Sequence, residues 1–438
     1  MTCTRTVAVE TLGCKVNQYE TSYFLELLQR AGYRIVPFGE RADIYIVHSC
    51  AVTARAGSQT RQLLRRAIRN NPEALVVAAG CYAQLDGDRI ASEGLATHIL
   101  GNPGKFDLIH WLNQPGSFER PCLAFVPAQT CGSKFEVLPV SSMHKGRTRA
   151  ILKIQDGCDS FCSYCVVPLV RGRSRSLPIG LVLSQIEELV GAGYLEIVLT
   201  GIHLGRWGKE FQPELSLSGL LEKIASGIHP KRLRLSSIEP EEFDSGLLGR
   251  ILSESWICRH FHIPLQSGDA EILDRMRRPY SPKRYADLIT QIHATFPDAA
   301  IGADVLTGFP GETEKQFKNT LDFIEGLSVS YLHVFPFSPR PGAPAADLPS
   351  RLPGGELKRR ASLLQALGRL KKRQYRERFI GKTMEVLAET SARPGLMQGL
   401  SGNYIRVLFP PSGDSRPGEL VRVRIEGFNG ENLRGEPV

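Results

Sequence analysis

Within the first hundred residues three short β-branched runs alternate with helical patterns, and each run is followed two residues later by a cysteine. The run 6–12 leads to Cys14, the run 43–48 to Cys50 and the run 75–79 to Cys81. Between them lie a helical stretch, opened by a capping-box-like pair Asn17 and Glu20, and a basic helix through Arg61, Arg65, Arg66 and Arg69. Strand–helix–strand repetition predicts a parallel sheet. Ligands of such sheets bind outside the carboxyl ends of the strands. The topology therefore delivers three thiols, distant in sequence, to one sheet edge. Cysteine is also a common buried residue, so three unrelated thiols is the plainer reading. A shared position at three successive strand ends favours a common metal centre instead.

A second triplet, Cys158, Cys162 and Cys165, follows directly on the predicted strand 149–155. A [4Fe–4S] cluster normally takes four thiolates, so three from one loop leave an iron open. The same spacing is half of a zinc knuckle, but no nearby Cys or His pair supplies the fourth ligand that zinc requires. The chain of 438 residues has room for two to three domains of ~100–200 residues. Its amino terminus lacks an apolar signal core and no run approaches the ~20 apolar residues that span a bilayer. The expectation is a cytoplasmic protein without a membrane partner, its ten cysteines mostly reduced. Cys3, Cys122, Cys131 and Cys258 read as bystander thiols, the middle two within a Pro-, Gly- and Ser-rich connector.

About six β/α units fit between residues 148 and 340, too few for an eightfold barrel, which predicts a partial, splayed one. A helix from Gly355 to about Phe379 is strongly basic, and the net charge of +9 fits a polyanionic partner. A solvated charged face is the competing reading of that helix. The tail shows short strands between Gly- and Pro-rich turns, the pattern of a small barrel of the oligonucleotide-binding type.

Several stretches resemble the radical S-adenosylmethionine (SAM) methylthiotransferases: Gly13-Cys14-Lys15-Val16-Asn17-Gln18, the Cys158–Cys165 loop continuing through Arg171-Gly172-Arg173, Thr200-Gly201-Ile202-His203, His262-Ile263-Pro264-Leu265-Gln266 and Gly308-Phe309-Pro310-Gly311-Glu312. The tail is similar to the TRAM domain. The wording around Cys14 is most similar to enzymes acting on N6-threonylcarbamoyladenosine at position 37 of tRNA. The resemblance implies an α/β fold of three parts. These are an amino-terminal parallel α/β sheet domain (1–115), a central partial (β/α)6 radical SAM barrel (144–374) and an all-β TRAM, OB-like barrel (375–438), with a linker at 116–143.

It also implies two [4Fe–4S] clusters and SAM. One cluster, on Cys158, Cys162 and Cys165, cleaves SAM; the other, on Cys14, Cys50 and Cys81, carries the sulfur destined for C2 of adenine. Tyr164, Thr200, Gly201, Ser237, Glu239 and Gln266 are the residues expected near SAM, with a core aromatic as the other reading of Tyr164. His203, His262 and His333 line the site or are satisfied buried imidazoles. The expected partners are a tRNA anticodon loop, an electron donor such as flavodoxin or ferredoxin, and a sulfur donor. Arg171, Arg173, Arg175 and the run Lys371-Lys372-Arg373 are candidate phosphate contacts. The alternatives are the enzyme for N6-isopentenyladenosine-37, the enzyme for ribosomal protein S12, and a non-catalytic iron–sulfur RNA-binding protein.

Overall fold

The computed structural model describes residues 5–113, 135–139, 147–390, 395–411 and 416–438; Cys3, Cys122, Cys131 and most of the connector lie outside them. The chain opens with β1 (Thr6–Thr11), α1 (Lys15–Arg30), β2 (Arg34–Val36), β3 (Ile44–Ser49), α2 (Ala54–Asn70), β4 (Leu75–Gly80), α3 (Cys81–Ser92), β5 (His98–Leu100) and α4 (Leu108–Leu112). The five strands form one parallel sheet in the order β2-β1-β3-β4-β5. Strands β3 and β4 are buried along their whole length, as central strands covered on both faces must be. Alternation then sorts their side chains. Tyr45, Val47, Val76 and Ala78 pack with Leu64 and Ala67 of α2. Ile44, Ile46, Leu75 and Val77 pack with Phe24 and Leu28 of α1. One local expectation fails: α1 begins at Lys15 with Cys14 at its N-cap, and Asn17 and Glu20 are buried rather than capping.

Next come β6 (Ala150–Lys153), β7 (Gln155–Asp156), α5 (Val167–Arg171) and β8 (Arg175–Ser176). The chain divides into two compact units that interleave in sequence. One comprises Met1–Met143, Gln155–Leu177 and Ser338–Asp347, so the second cysteine loop and α5 belong with the amino-terminal sheet. The other comprises His144–Ile154, Pro178–Phe337 and Leu348–Val438.

The second unit continues with α6 (Ile179–Gly191), β9 (Glu196–Thr200), α7 (Leu217–Ala225), β10 (Arg232–Leu235), α8 (Ser245–Ser253), β11 (His260–His262), α9 (Ala270–Arg275), α10 (Pro282–Thr295), β12 (Ala300–Thr307), α11 (Glu314–Gly326) and β13 (Tyr331–Pro336). Its strands are parallel in two groups, β10-β9-β6 and β11-β12-β13, with isolated bridges Leu233–Ile257 and Gln266–Val305 beside them. Six strands is the number that the alternation of patterns predicts.

The helix α12 (Gly354–Glu377) leads into β14 (Thr383–Glu389), β15 (Met397–Ser401), β16 (Arg406–Phe409), β17 (Leu420–Asn429) and β18 (Asn432–Pro437), a closed barrel in the order β14-β15-β16-β18-β17. Val386, Val407, Phe409, Val423, Ile425 and Leu433 fill it. The basic helix is less available to a partner than its composition predicts. Lys371 is buried, donating to the carbonyls of Glu325 and Leu327, and Arg360 is held by Glu312 and Glu356. Among the described residues no helix is long and apolar enough to cross a membrane.

Candidate metal centres

Strands β1, β3 and β4 are neighbours, and each hands the chain to a cysteine at its carboxyl end. Cys14 is the N-cap of α1, Cys50 follows β3, and Cys81 is the first residue of α3. The approach between the first two loops is close. Gly13 sits at φ +118°, and a Cβ there would lie 2.7 Å from Cβ of Cys50. Only glycine adopts that backbone without strain and leaves the space. Burial pushes the Cys50 thiol up to about 12, and the neighbouring Cys81 and Cys14 push it the same way. Three thiols therefore share one electrostatic field, as the sheet topology predicts.

The second triplet occupies the loop between β7 and α5. Gly157 turns the chain into it at φ +73°; a Cβ there would meet the Arg173 carbonyl oxygen at 1.9 Å. The Ser160 amide donates to Cys158 Sγ and the Val167 amide to Cys165 Sγ, both at 3.4 Å. The Val52 amide stands in the same two-residue relation to Cys50 and opposes the rise of its thiol. Amides aimed at sulfur stabilise a thiolate, the form that binds iron. Both triplets thus fit three-thiolate iron–sulfur ligation. All seven described cysteines are free, and Cys258 is a buried thiol in the second unit.

Between the two triplets of this unit runs a buried polar network that the sequence reading missed. Arg171, at the end of α5, is almost wholly buried. Its guanidinium donates to Asn17 Oδ1 at 2.8 Å, to both Glu20 oxygens at 3.1 and 3.2 Å, and to Asp156 Oδ1 at 3.0 Å. Asn17 in turn donates to the carbonyls of Leu12 and Ser49, tying together the Cys14 and Cys50 loops. Lys105 Nζ reaches Glu20 at 2.6 Å and Asn102 at 2.8 Å. Asn102 Nδ2 donates to Cys81 Sγ at 3.4 Å and to the Val170 carbonyl at 2.6 Å. Burial works against the charge on Arg171, yet Cys81, Glu20, Asp156 and Cys14 outweigh it and hold the group well above its ordinary value. His48 is the neutral member: burial, then Lys105, lower it to about 3.

This corrects the expectation that Arg171 meets RNA phosphate, since its donors are spent inside the protein. Arg175 is half-committed as well, donating to Asp156 and to two carbonyls, whereas Arg173 stays exposed beside Asp159 and over the Phe161 ring. Asn102 follows β5, so the rule that located the cysteines could have found it. Nothing in the sequence marks Arg171 as the partner of Glu20.

Tyr164 is half-buried in the second loop. The other residues expected near SAM belong to the second unit and cluster at carboxyl ends of its strands. Thr200 closes β9 and is buried, with Gly201 next; Ser237 is exposed just past β10. Glu239 caps the turn 240–242 and pairs with Arg278. Gln266 holds a left-handed backbone, φ +66°, bridged to Val305 between the amide of Leu306 and the carbonyl of Asp304. A non-glycine residue held there stores strain, which concentrates at functional sites. Two further groups appear at the same ends: the buried hydroxyls of Ser236 and Thr307 lack a hydrogen-bond partner among the described residues, leaving them for a polar ligand.

The family described as "Uncharacterized protein family UPF0004" matches residues 6–101, and the "Radical SAM superfamily" matches residues 152–324. The chain is 36% identical over 425 residues to the "Threonylcarbamoyladenosine tRNA methylthiotransferase MtaB" of Bacillus subtilis, covering 96% of this chain and 93% of that one. The protein of the same name in Thermotoga maritima is 35% identical, with 98% and 96% covered. The "tRNA-2-methylthio-N(6)-dimethylallyladenosine synthase" of Moorella thermoacetica is 31% identical, with 99% and 98% covered. Among solved structures, the radical SAM methyltransferase TsrM of Kitasatospora setae superposes with a TM-score of 0.55 at 17% identity, over 78% of this chain and 75% of that one. That likeness is one of fold.

Proposed function

The chain belongs to the family of radical SAM methylthiotransferases, and on that premise we propose that it converts N6-threonylcarbamoyladenosine at position 37 of tRNA to its 2-methylthio derivative. The observation that carries this reading is the convergence of Cys14, Cys50 and Cys81 at adjacent strand ends, joined through Arg171 to the segment bearing Cys158, Cys162 and Cys165. Cys158, Cys162 and Cys165 would hold one [4Fe–4S] cluster and Cys14, Cys50 and Cys81 the other; when bound, the first would supply the electron for SAM cleavage and the second the sulfur.

The residues of the chain bind, orient and exclude. A C2–H bond of adenine is not acidic, so no side-chain base is asked to remove its proton. Arg171 places positive charge beside the thiols of Cys14 and Cys81, while Asn17 and Asn102 fix the loops that carry them and Lys105 holds Glu20 and Asn102. In the second unit Thr200, Gly201, Ser237, Glu239 and Gln266 would contact SAM, together with the hydroxyls of Ser236 and Thr307; Tyr164 would cover the cluster of its own loop. The sheet domain 1–115 carries sulfur, 116–143 connects, 144–374 generates the radical and 375–438 grips the anticodon arm. A flavodoxin- or ferredoxin-like reductant and a separate sulfur donor complete a cytoplasmic system.

Two measurements test this. Mass analysis of tRNA nucleosides from a deletion strain should lose the 2-methylthio mark on threonylcarbamoyladenosine alone; loss from isopentenyladenosine would reassign the substrate. In Cys50→Ala, SAM cleavage to 5′-deoxyadenosine should persist while methylthio insertion disappears. Insertion at the normal rate would remove the two-cluster scheme.

A further inference from the structure

A polar cluster in the second unit joins β11, β12 and β13 through His262, Asp304, Tyr331 and His333. Leu332 of β13 packs against Gly368 of α12, so by alternation Tyr331, His333 and Phe335 project from the opposite, inner face of the strand. Asp304 of β12 stands directly across from His333 in register. A single Asp304 oxygen, Oδ1, accepts from His262 Nε2 at 2.9 Å and from His333 Nδ1 at 3.2 Å. The other ring nitrogen of His262 meets the Tyr331 hydroxyl at 3.1 Å. The chain of contacts is closed at its buried end and open at the other: His262 is buried, whereas the His333 side chain is 53% exposed beside the exposed Phe335.

We propose that His333, oriented by Asp304 and His262, recognises the polar N6 substituent of the target adenosine. This rests on the substrate reading above. Asp304 is an ionised acceptor, so His333 must spend its Nδ1 proton on it, which fixes the ring and leaves Nε2 as the nitrogen presented outward. A threonylcarbamoyl group carries a ureido N–H and a hydroxyl that can donate to that nitrogen. An isopentenyl group carries none, and covering an oriented imidazole with hydrocarbon leaves a buried polar group unpaired. Sites built to hydrogen-bond a substrate reject analogues lacking that group far better than apolar pockets reject extra atoms. Phe335, next on the same face, offers the apolar surface on which a base can rest.

The experiment compares His333→Ala and His333→Gln with the parent enzyme, all reconstituted with iron and sulfide. The substrates are one tRNA carrying threonylcarbamoyladenosine, the same tRNA with plain adenosine at position 37, and a tRNA carrying isopentenyladenosine. The iron content and cluster absorbance of each protein serve as folding controls. In His333→Ala the KM for the threonylcarbamoyl substrate should rise about 10- to 100-fold while affinity for the plain-adenosine tRNA changes less than twofold, so selectivity collapses; His333→Gln should recover part of it. An unchanged KM, or an equal loss for both tRNAs, overturns the assignment and leaves the proposed function standing. One equivalent of a divalent metal in the parent, lost in His333→Ala, makes the cluster a metal site and overturns it too. A parent enzyme active only on the isopentenyl tRNA overturns the proposed function, and the assignment falls with it.

Discussion

Arg171→Met is the substitution whose consequence the structure specifies most fully. The side chain is fully enclosed and makes four charge-assisted hydrogen bonds to Asn17, Glu20 and Asp156. Removing it leaves Glu20 to Lys105 and Asp156 to Arg175, so two buried carboxylates lose the cation they share. Breaking a buried ion pair from one side costs about 3–5 kcal/mol, because the remaining charge stays desolvated. The affected unit is roughly 180 residues, a size at which each kcal/mol moves Tm by about 2–4 °C, so its transition should fall by roughly 6–20 °C. Arg171→Lys keeps the charge but loses the planar fork, and should fall between the two. The assay is thermal unfolding of iron-free protein under anaerobic conditions, which separates the network from the clusters. A cycle with Glu20→Gln should show a coupling of about 1–3 kcal/mol. A Tm loss below about 3 °C, or additivity of the two substitutions, would refute the argument that this network joins the loops.

Other consequences are narrower. Asn102→Ala removes the donor to Cys81 and to the Val170 carbonyl, and should shift the midpoint potential of the amino-terminal cluster measured by redox-titrated EPR while leaving the other signal in place. Gly157→Ala forces a methyl group into the Arg173 carbonyl, so purified protein should hold about half of its full iron complement. Arg369→Glu and Arg373→Glu, on the exposed side of α12, should each lower the salt slope of tRNA binding by about one, whereas Lys371→Gln should mainly lower stability.

Local pattern was enough for much of this protein. Short apolar and β-branched runs located β1, β3 and β4, and the strand-end rule then brought Cys14, Cys50 and Cys81 to one edge. The six barrel strands followed from the same alternation, as did β14, β16 and β17. Strands β15 and β18 did not, because Gly399 and Gly435 interrupt runs with few β-branched residues and long-range pairing alone extends them. Charge was the least legible property. Arg171 and Lys371 look in sequence like the exposed arginines and lysines around them, and only folding, which sets Arg171 against a glutamate 151 residues away, shows them to be internal. Such a pair has no periodicity to betray it. Residue type and spacing decide which atoms arrive at a strand end. Which buried charges meet there is decided by desolvation and packing, and these exist only once the whole unit has closed.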